Sequence, residues 1–294
     1  MHNHRVKVLV LRTAGTNCDQ ETKFAFEYAG AAVELIHINA LIAFEKDLSD
    51  FHILAIPGGF TYGDDVSSGK ILANELRFIL GDELQKFIEQ GKLIIGICNG
   101  FQVLVKAGIL PGIENNNIEA TLSLNNSAKF EDRWVYLKTQ KTEIRNQKLR
   151  LPAEGGAVFG GKKQNTGQMT QKCVWTQGLP ETIYIPVAHA EGKFIPGNDE
   201  ILQKLWDEQQ VVFQYVNSAG KISGYPDNPN GSVDSIAGIC NSTGRVLGLM
   251  PHPERHLLCI HHPQWTRINQ NEQHSQGDGA KIFINGVKYA KKYL

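Results

Sequence analysis

Long apolar runs are missing from this chain of 294 residues. None approaches the roughly 18 consecutive apolar residues of a membrane span, and the run inside MHNHRVKVLVLR is too short for a secretory signal. An excess of either charge is missing too: Lys plus Arg and Asp plus Glu each number 30. Nothing in that balance points to nucleic acid or to an acidic membrane surface as a partner. Cysteine is sparse and unordered. Cys18, Cys98, Cys173, Cys240 and Cys259 are odd in number and irregular in spacing, which argues against a disulfide framework and against a zinc-type pattern. Together these absences predict a cytoplasmic protein with reduced thiols, one of them free to do chemistry.

Four apolar, β-branched runs occupy the first third: VKVLVLR (6–12), VELIHIN (33–39), HILAIPGG (52–59) and KLIIGIC (92–98). Runs of this kind read as strands buried on both faces. Helical patterns lie between them at 19–29 and 68–90, the second with Leu72, Leu76, Ile79, Leu80, Leu84, Phe87 and Ile88 at helical spacing. The alternation predicts an α/β fold, a mostly parallel central sheet with helices on both faces. After Gly112 the texture changes to short strand-like runs, RWVYLKTQ (133–140), TIYIPVAHAEGKF (182–194), QVVFQYVN (210–217) and DSIAGICNSTGRVLGLMPH (234–252), which predict antiparallel strands added in the second half. NSTGR (241–245) reads as a hairpin turn, and 278–293 as an amphipathic helix with a basic end. The polar segment 141–172 has almost no periodicity and reads as a surface insertion. No internal repeat divides the chain, so 1–294 is taken as one domain, long enough for a sizeable core.

The chemistry concentrates at Gly96-Ile97-Cys98-Asn99-Gly100. A strand turning sharply into a helix, with glycine two before and two after the apex, is the pattern of a nucleophile elbow, here with cysteine in place of serine. Free N–H groups at the helix start favour a thiolate, and the Asn99 N–H can stabilise an oxyanion. The alternative is a small buried cysteine at a tight turn; the paired glycines weigh against it. Pro57-Gly58-Gly59 also follows a strand, and the Gly59 N–H is the candidate second oxyanion donor.

A thiol attacking a carbonyl needs a base and a group to orient it. LMPHPERH (249–256) offers His252 and Glu254, two apart, with Pro251 and Pro253 biasing the chain toward an extended path on which both side chains point the same way. His189 sits at a strand end, placed to line the pocket. His256, Cys259, His261 and His262 lack the spacing of a metal site and read as a loop, and His2 and His4 as a frayed terminus.

TNCD (16–19), IPGGFTYGDD, GICNGFQVL, PVAHAEGKF, NPNGSVDSIAGICN and GLMPHPERH, in this order over most of the chain, resemble the class I, triad-type glutamine amidotransferases. Cys-Asn-Gly-Phe-Gln and Asn-Gly-Ser-Val point within that class to the amidotransferase subunits of phosphoribosylformylglycinamidine synthase, in purine biosynthesis. The resemblance implies a flavodoxin-like fold and a glutaminase: Cys98 attacks L-glutamine, His252 shuttles the proton, Glu254 orients His252. Gly58, Gly59, Asn99, Gln102 and His189 would serve the oxyanion and substrate site. It implies no metal or cofactor in this chain, with ATP and Mg used by a partner synthetase subunit, with or without a small third subunit. Ala190 stands where the family usually has glycine, and the 141–172 and 255–279 segments exceed its shortest members. The competing readings are an amidotransferase serving another synthetase, a stress-type cysteine hydrolase, and a silent docking subunit. The last predicts a substituted triad, whereas all three residues are present.

Overall fold

The four apolar runs lie side by side in the computed structural model, which describes residues 5–113, 117–140, 142–143, 169–170, 172–267 and 276–294. They form β1 (Lys7–Arg12), β2 (Ala32–His37), β3 (Ile53–Ile56) and β4 (Leu93–Ile97), all parallel, in the order β2-β1-β3-β4. Every residue of β3 and β4 is buried, which is why those runs are continuously apolar rather than alternating. Helices α1 (Asp19–Tyr28) and α2 (Ile38–Ile42) fall within the first two crossovers.

The helical stretch expected over 68–90 is two helices, α3 (Lys70–Phe78) and α4 (Gly81–Glu89). Gly81 is a poor helix former, while Asp82 and Glu83 in the first turn of α4 favour a fresh start there. Helix α5 (Asn99–Lys106) leaves β4 and is buried along its whole length.

The second half continues the same sheet. Its elements run β5 (Ala120–Ser123), β6 (Glu131–Thr139), β7 (Thr142–Glu143), β8 (Met169–Thr170), β9 (Thr182–His189), β10 (Lys193–Pro196), α6 (Asp199–Asp207), β11 (Val211–Val216), β12 (Ile236–Cys240), β13 (Val246–Leu249) and α7 (Ala280–Tyr293). Beyond β4 the order is β13-β12-β11-β6-β9, with β13 parallel to β4 and the remaining pairings antiparallel. The 182–194 run splits into β9 and β10 around Gly192, and β10 pairs with β5 in a separate ribbon. The hairpin at 241–245 is formed as expected: Gly244 takes φ +71° and Asn241 Oδ1 accepts from the Arg245 and Val246 N–H groups, each at 3.2 Å.

Of the 141–172 segment, the ribbon β7–β8 and Lys172 are described; 144–168, like 268–275 of the 255–279 segment and His2 and His4, lies outside the described residues. Trp175, just after it, is fully buried, donates from Nε1 to Arg245 O at 2.9 Å, and faces Gly286, where an added Cβ would lie 2.3 Å from its ring. Phe26 of α1 packs edge-on against Phe283 of α7, with centroids 5.0 Å apart at 86°. No described helix is long and apolar enough to cross a membrane.

Because α7 is held on α1 through this aromatic contact, Phe283→Ala is expected to lower stability by about 3–5 kcal/mol. Urea denaturation should show a lower midpoint with an unchanged slope.

Candidate active site

Five strands run parallel from β2 to β13, so the residues after β1, β3, β4 and β13 collect at one edge. At the end of β4, Cys98 adopts φ +52° and ψ −106°, a strained region for a side chain. Its N–H donates to Leu249 O at 2.8 Å, which ties the apex to the end of β13. The flanking glycines are sterically required. An added Cβ on Gly100 would lie 1.9 Å from Ile56 O, and one on Gly96 2.5 Å from Gly100 O. The Asn99 N–H opens α5, where helix geometry provides no intrahelical acceptor.

The Pro57-Gly58-Gly59 loop is braced from the loop after β1. Cys18 N–H donates to Gly58 O at 3.2 Å and Phe60 N–H to Gly15 O at 2.9 Å. Gly59 sits at φ +144°, with Gly15 O 2.7 Å from where its Cβ would be. Gly58 is the meeting point of the site: an added Cβ would stand 2.8 Å from His252 Cε1, 3.2 Å from Cys18 Sγ and 3.4 Å from the Cys98 Cβ.

His252 reaches this point from β13, its N–H donating to Pro186 O at 2.8 Å. The extended path expected for 251–254 is not what joins it to Glu254. Pro253–Arg255 is a short 3₁₀ turn, with proline at its first position, where a missing N–H costs nothing. The turn brings Glu254 Oε1 to 2.6 Å from His252 Nδ1, with both residues buried. That bond fixes the proton on Nδ1 and leaves Nε2 buried with no hydrogen-bond partner. Burial alone would hold the ring neutral, but the Glu254 carboxylate and the thiols of Cys98 and Cys18 outweigh it and raise the His252 pKa well above the ordinary histidine value.

Asn99 and Gln102 lie in a buried polar network. Asn99 accepts from Thr61 Oγ1 at 2.8 Å and donates to Gln102 Oε1 at 2.9 Å and Asp64 Oδ1 at 3.3 Å, while Gln102 Nε2 donates to Glu191 O at 2.5 Å. Lys106, further along α5, donates to Ser68 O at 2.6 Å and pairs with Glu191 at 3.7 Å. The network locks the loop after β3 and the turn after β9 to the elbow helix. Asn230 of the NPNG stretch braces that turn from behind, donating to Gly192 O at 2.8 Å.

His189 is buried, with Nδ1 facing Asn125 Oδ1 at 3.2 Å; burial, and then the positive charge of His252, push its pKa down to about 3. His256 donates to Tyr184 O at 2.7 Å, and with His262 it packs around Trp134, so the histidine-rich loop serves aromatic packing. Among the described residues, Cys18, His252 and Glu254 form the one donor cluster close enough for a metal ion, with donor atoms within 4.8 Å of one another. Two of those three already hold each other.

Cys18 and Arg255 are the site residues that reading the sequence missed. The sequence places Cys18 in the loop after the first strand, but nothing local says that this loop meets Gly58.

A domain-family model described as CobB/CobQ-like glutamine amidotransferase domain matches residues 5–166 and 159–290. A phosphoribosylformylglycinamidine synthase subunit PurQ from Dehalococcoides mccartyi is 44% identical over 288 residues, covering 98% of this chain and 99% of that one. The PurQ subunit of Methanococcus maripaludis is 39% identical, covering 97% and 98% of the two chains. Among solved structures, a chain of PurLQS from Thermotoga maritima superposes with a TM-score of 0.67 at 27% identity, covering 97% of this chain and 99% of its own.

Two outcomes follow from the geometry. Gly58→Ala places a methyl against the imidazole, and is expected to slow iodoacetamide alkylation of Cys98 at neutral pH about 10- to 100-fold while circular dichroism stays unchanged. His189, depressed to about 3 from an unfolded value of about 6.5, gives stability that is full above pH ~6.5 and falls as the pH drops toward ~3. His189→Asn should therefore flatten the acid-side loss of stability by about 1.4 kcal/mol per pH unit, measured by urea denaturation between about pH 4 and pH 6.

Proposed function

Because this chain belongs to the CobB/CobQ-like glutamine amidotransferases, as a glutaminase subunit of the phosphoribosylformylglycinamidine synthase type, we propose that Cys98, His252 and Glu254 hydrolyse L-glutamine in it as nucleophile, proton shuttle and orienting carboxylate. The observation that carries the assignment is the convergence at Gly58 of a strained elbow cysteine and an imidazole already bonded to a buried carboxylate.

The thiol gives its proton to His252 Nε2 and the sulfur attacks the side-chain carboxamide carbon of glutamine. The oxygen of the tetrahedral intermediate meets the N–H groups of Asn99 and Gly59; the Phe60 N–H is already given to Gly15 O. His252 then hands its proton to the departing ammonia, leaving a glutamyl thioester on Cys98. Water, deprotonated by His252, releases glutamate and restores the thiol. Glu254 holds the ring by Nδ1 throughout and offsets the charge of the imidazolium. Gln102 and His189 stand behind the pocket, one fixing the Glu191 carbonyl, the other a neutral buried wall.

In this reading the whole chain is one amidotransferase domain working in the cytoplasm. The ammonia passes to a synthetase subunit, with or without a small third subunit. That partner, using ATP and Mg, converts formylglycinamide ribonucleotide to the amidine.

The test is glutamate release by the chain assembled with its synthetase subunit, with and without formylglycinamide ribonucleotide and ATP. Cys98→Ala is expected to assemble normally and release no glutamate; wild-type turnover in that variant overturns the assignment. Glu254→Ala should retain weak turnover, reduced about 1,000- to 10,000-fold.

A further inference from the structure

The reaction uses one thiol, yet the site holds two. Cys18 is 2% exposed, and its sulfur lies within 4.8 Å of a ring nitrogen of His252 and a carboxylate oxygen of Glu254. Cys18 is not placed to attack. It is the N-cap of α1 with ordinary negative φ of −99°, and burial pushes its pKa up, which keeps it a neutral thiol. Each part of the residue is nevertheless engaged. Its N–H holds Gly58 O at 3.2 Å, and its carbonyl accepts from the Thr22 N–H at 3.0 Å and from Thr22 Oγ1 at 2.7 Å. Its sulfur accepts from Arg255 Nη2 at 3.1 Å, and Arg255 Nε in turn donates to Glu21 Oε2 at 3.2 Å.

Consider what holds the His252 ring. The Glu254 bond fixes Nδ1, but a single hydrogen bond at one ring atom leaves the imidazole free to swing about it, and the terminal torsion of histidine is soft. The swing is limited by what touches the ring edge. Gly58 and the Cys18 sulfur lie at that edge: the empty Cβ position of Gly58 is 2.8 Å from His252 Cε1 and 3.2 Å from Cys18 Sγ, and the sulfur is within 4.8 Å of a ring nitrogen. Arg255 belongs to the same 3₁₀ turn as Glu254, so the sulfur and the carboxylate are anchored to one short piece of backbone.

We propose that Cys18 is a positioning residue for the glutaminase: held by Arg255 and by Gly58, its sulfur walls the His252 ring so that Nε2 stays directed at Cys98. The proposal rests on Cys98 and His252 being nucleophile and shuttle. It also explains why the loop after β1 is tied to the Gly58-Gly59 loop, because the same residue then spaces the base and the oxyanion donors.

The test uses the complex with the synthetase subunit, its nucleotide substrate and ATP, following glutamate release. Cys18→Ala is expected to lower kcat about 10- to 100-fold while KM for glutamine moves less than about 3-fold. Cys18→Ser, which keeps an acceptor for Arg255, should recover most of that loss. Wild-type kcat in Cys18→Ala, or a serine variant no better than alanine, overturns the proposal. If Cys18→Ala does not assemble, Arg255→Ala, which leaves the sulfur in place but unanchored, should show the same fall in kcat at unchanged KM; wild-type kcat there overturns it equally. Cys98→Ala separates the two levels. Activity in that variant removes the nucleophile assignment, whereas an inactive Cys98→Ala beside a fully active Cys18→Ala removes only the role of Cys18.

Discussion

The parallel pairing of β13 with β4 is the constraint on which the site depends. Leu249 lies opposite Ile97, and the next N–H, that of Cys98, donates to Leu249 O at 2.8 Å. Two stretches of chain about 150 residues apart therefore end at the same level and on the same edge. From that level one chain turns into an elbow, and the other reaches His252 three residues on. Had β13 paired antiparallel with β4, it would deliver His252 to the opposite end of the sheet. Both strands are buried on both faces, so the register is held by the bare positions Gly96 and Gly248, which lie opposite each other: a Cβ would stand 2.5 Å from Gly100 O at the first and 2.1 Å from the Phe101 ring at the second.

Two buried histidines show how surroundings divide the labour. His252 has a carboxylate at Nδ1 and thiols nearby, and holds a proton readily. His189 has the Asn125 amide and a positively charged neighbour, and stays neutral. The site thus has one titrating imidazole and one inert one, so in the proposed reaction proton transfer falls to His252.

Much of this was legible in the sequence because the signals were local. The glycines around Cys98 stated their own steric reason, and the continuous apolar runs marked strands buried on both faces. Spacing alone linked His252 to Glu254, though the backbone joining them is a 3₁₀ turn: two prolines limit φ, and that restriction fits a tight turn as well as an extended chain. The break between α3 and α4 was missed because apolar periodicity carries across Gly81 while backbone preference does not. Cys18 was missed for a deeper reason. Its role depends on which loops meet at the sheet edge, and the same holds for the Asn99, Gln102 and Lys106 network, whose partners lie on two separate segments, the loop after β3 and the turn after β9.

The backbone of Cys98 carries a local cost in stability. Holding a side chain at φ +52° costs of order 1–3 kcal/mol, a cost that glycine would largely avoid. A side chain at this apex therefore draws on the stability of the helix, loops and strands packed around it, and replacing it with glycine would return part of that cost.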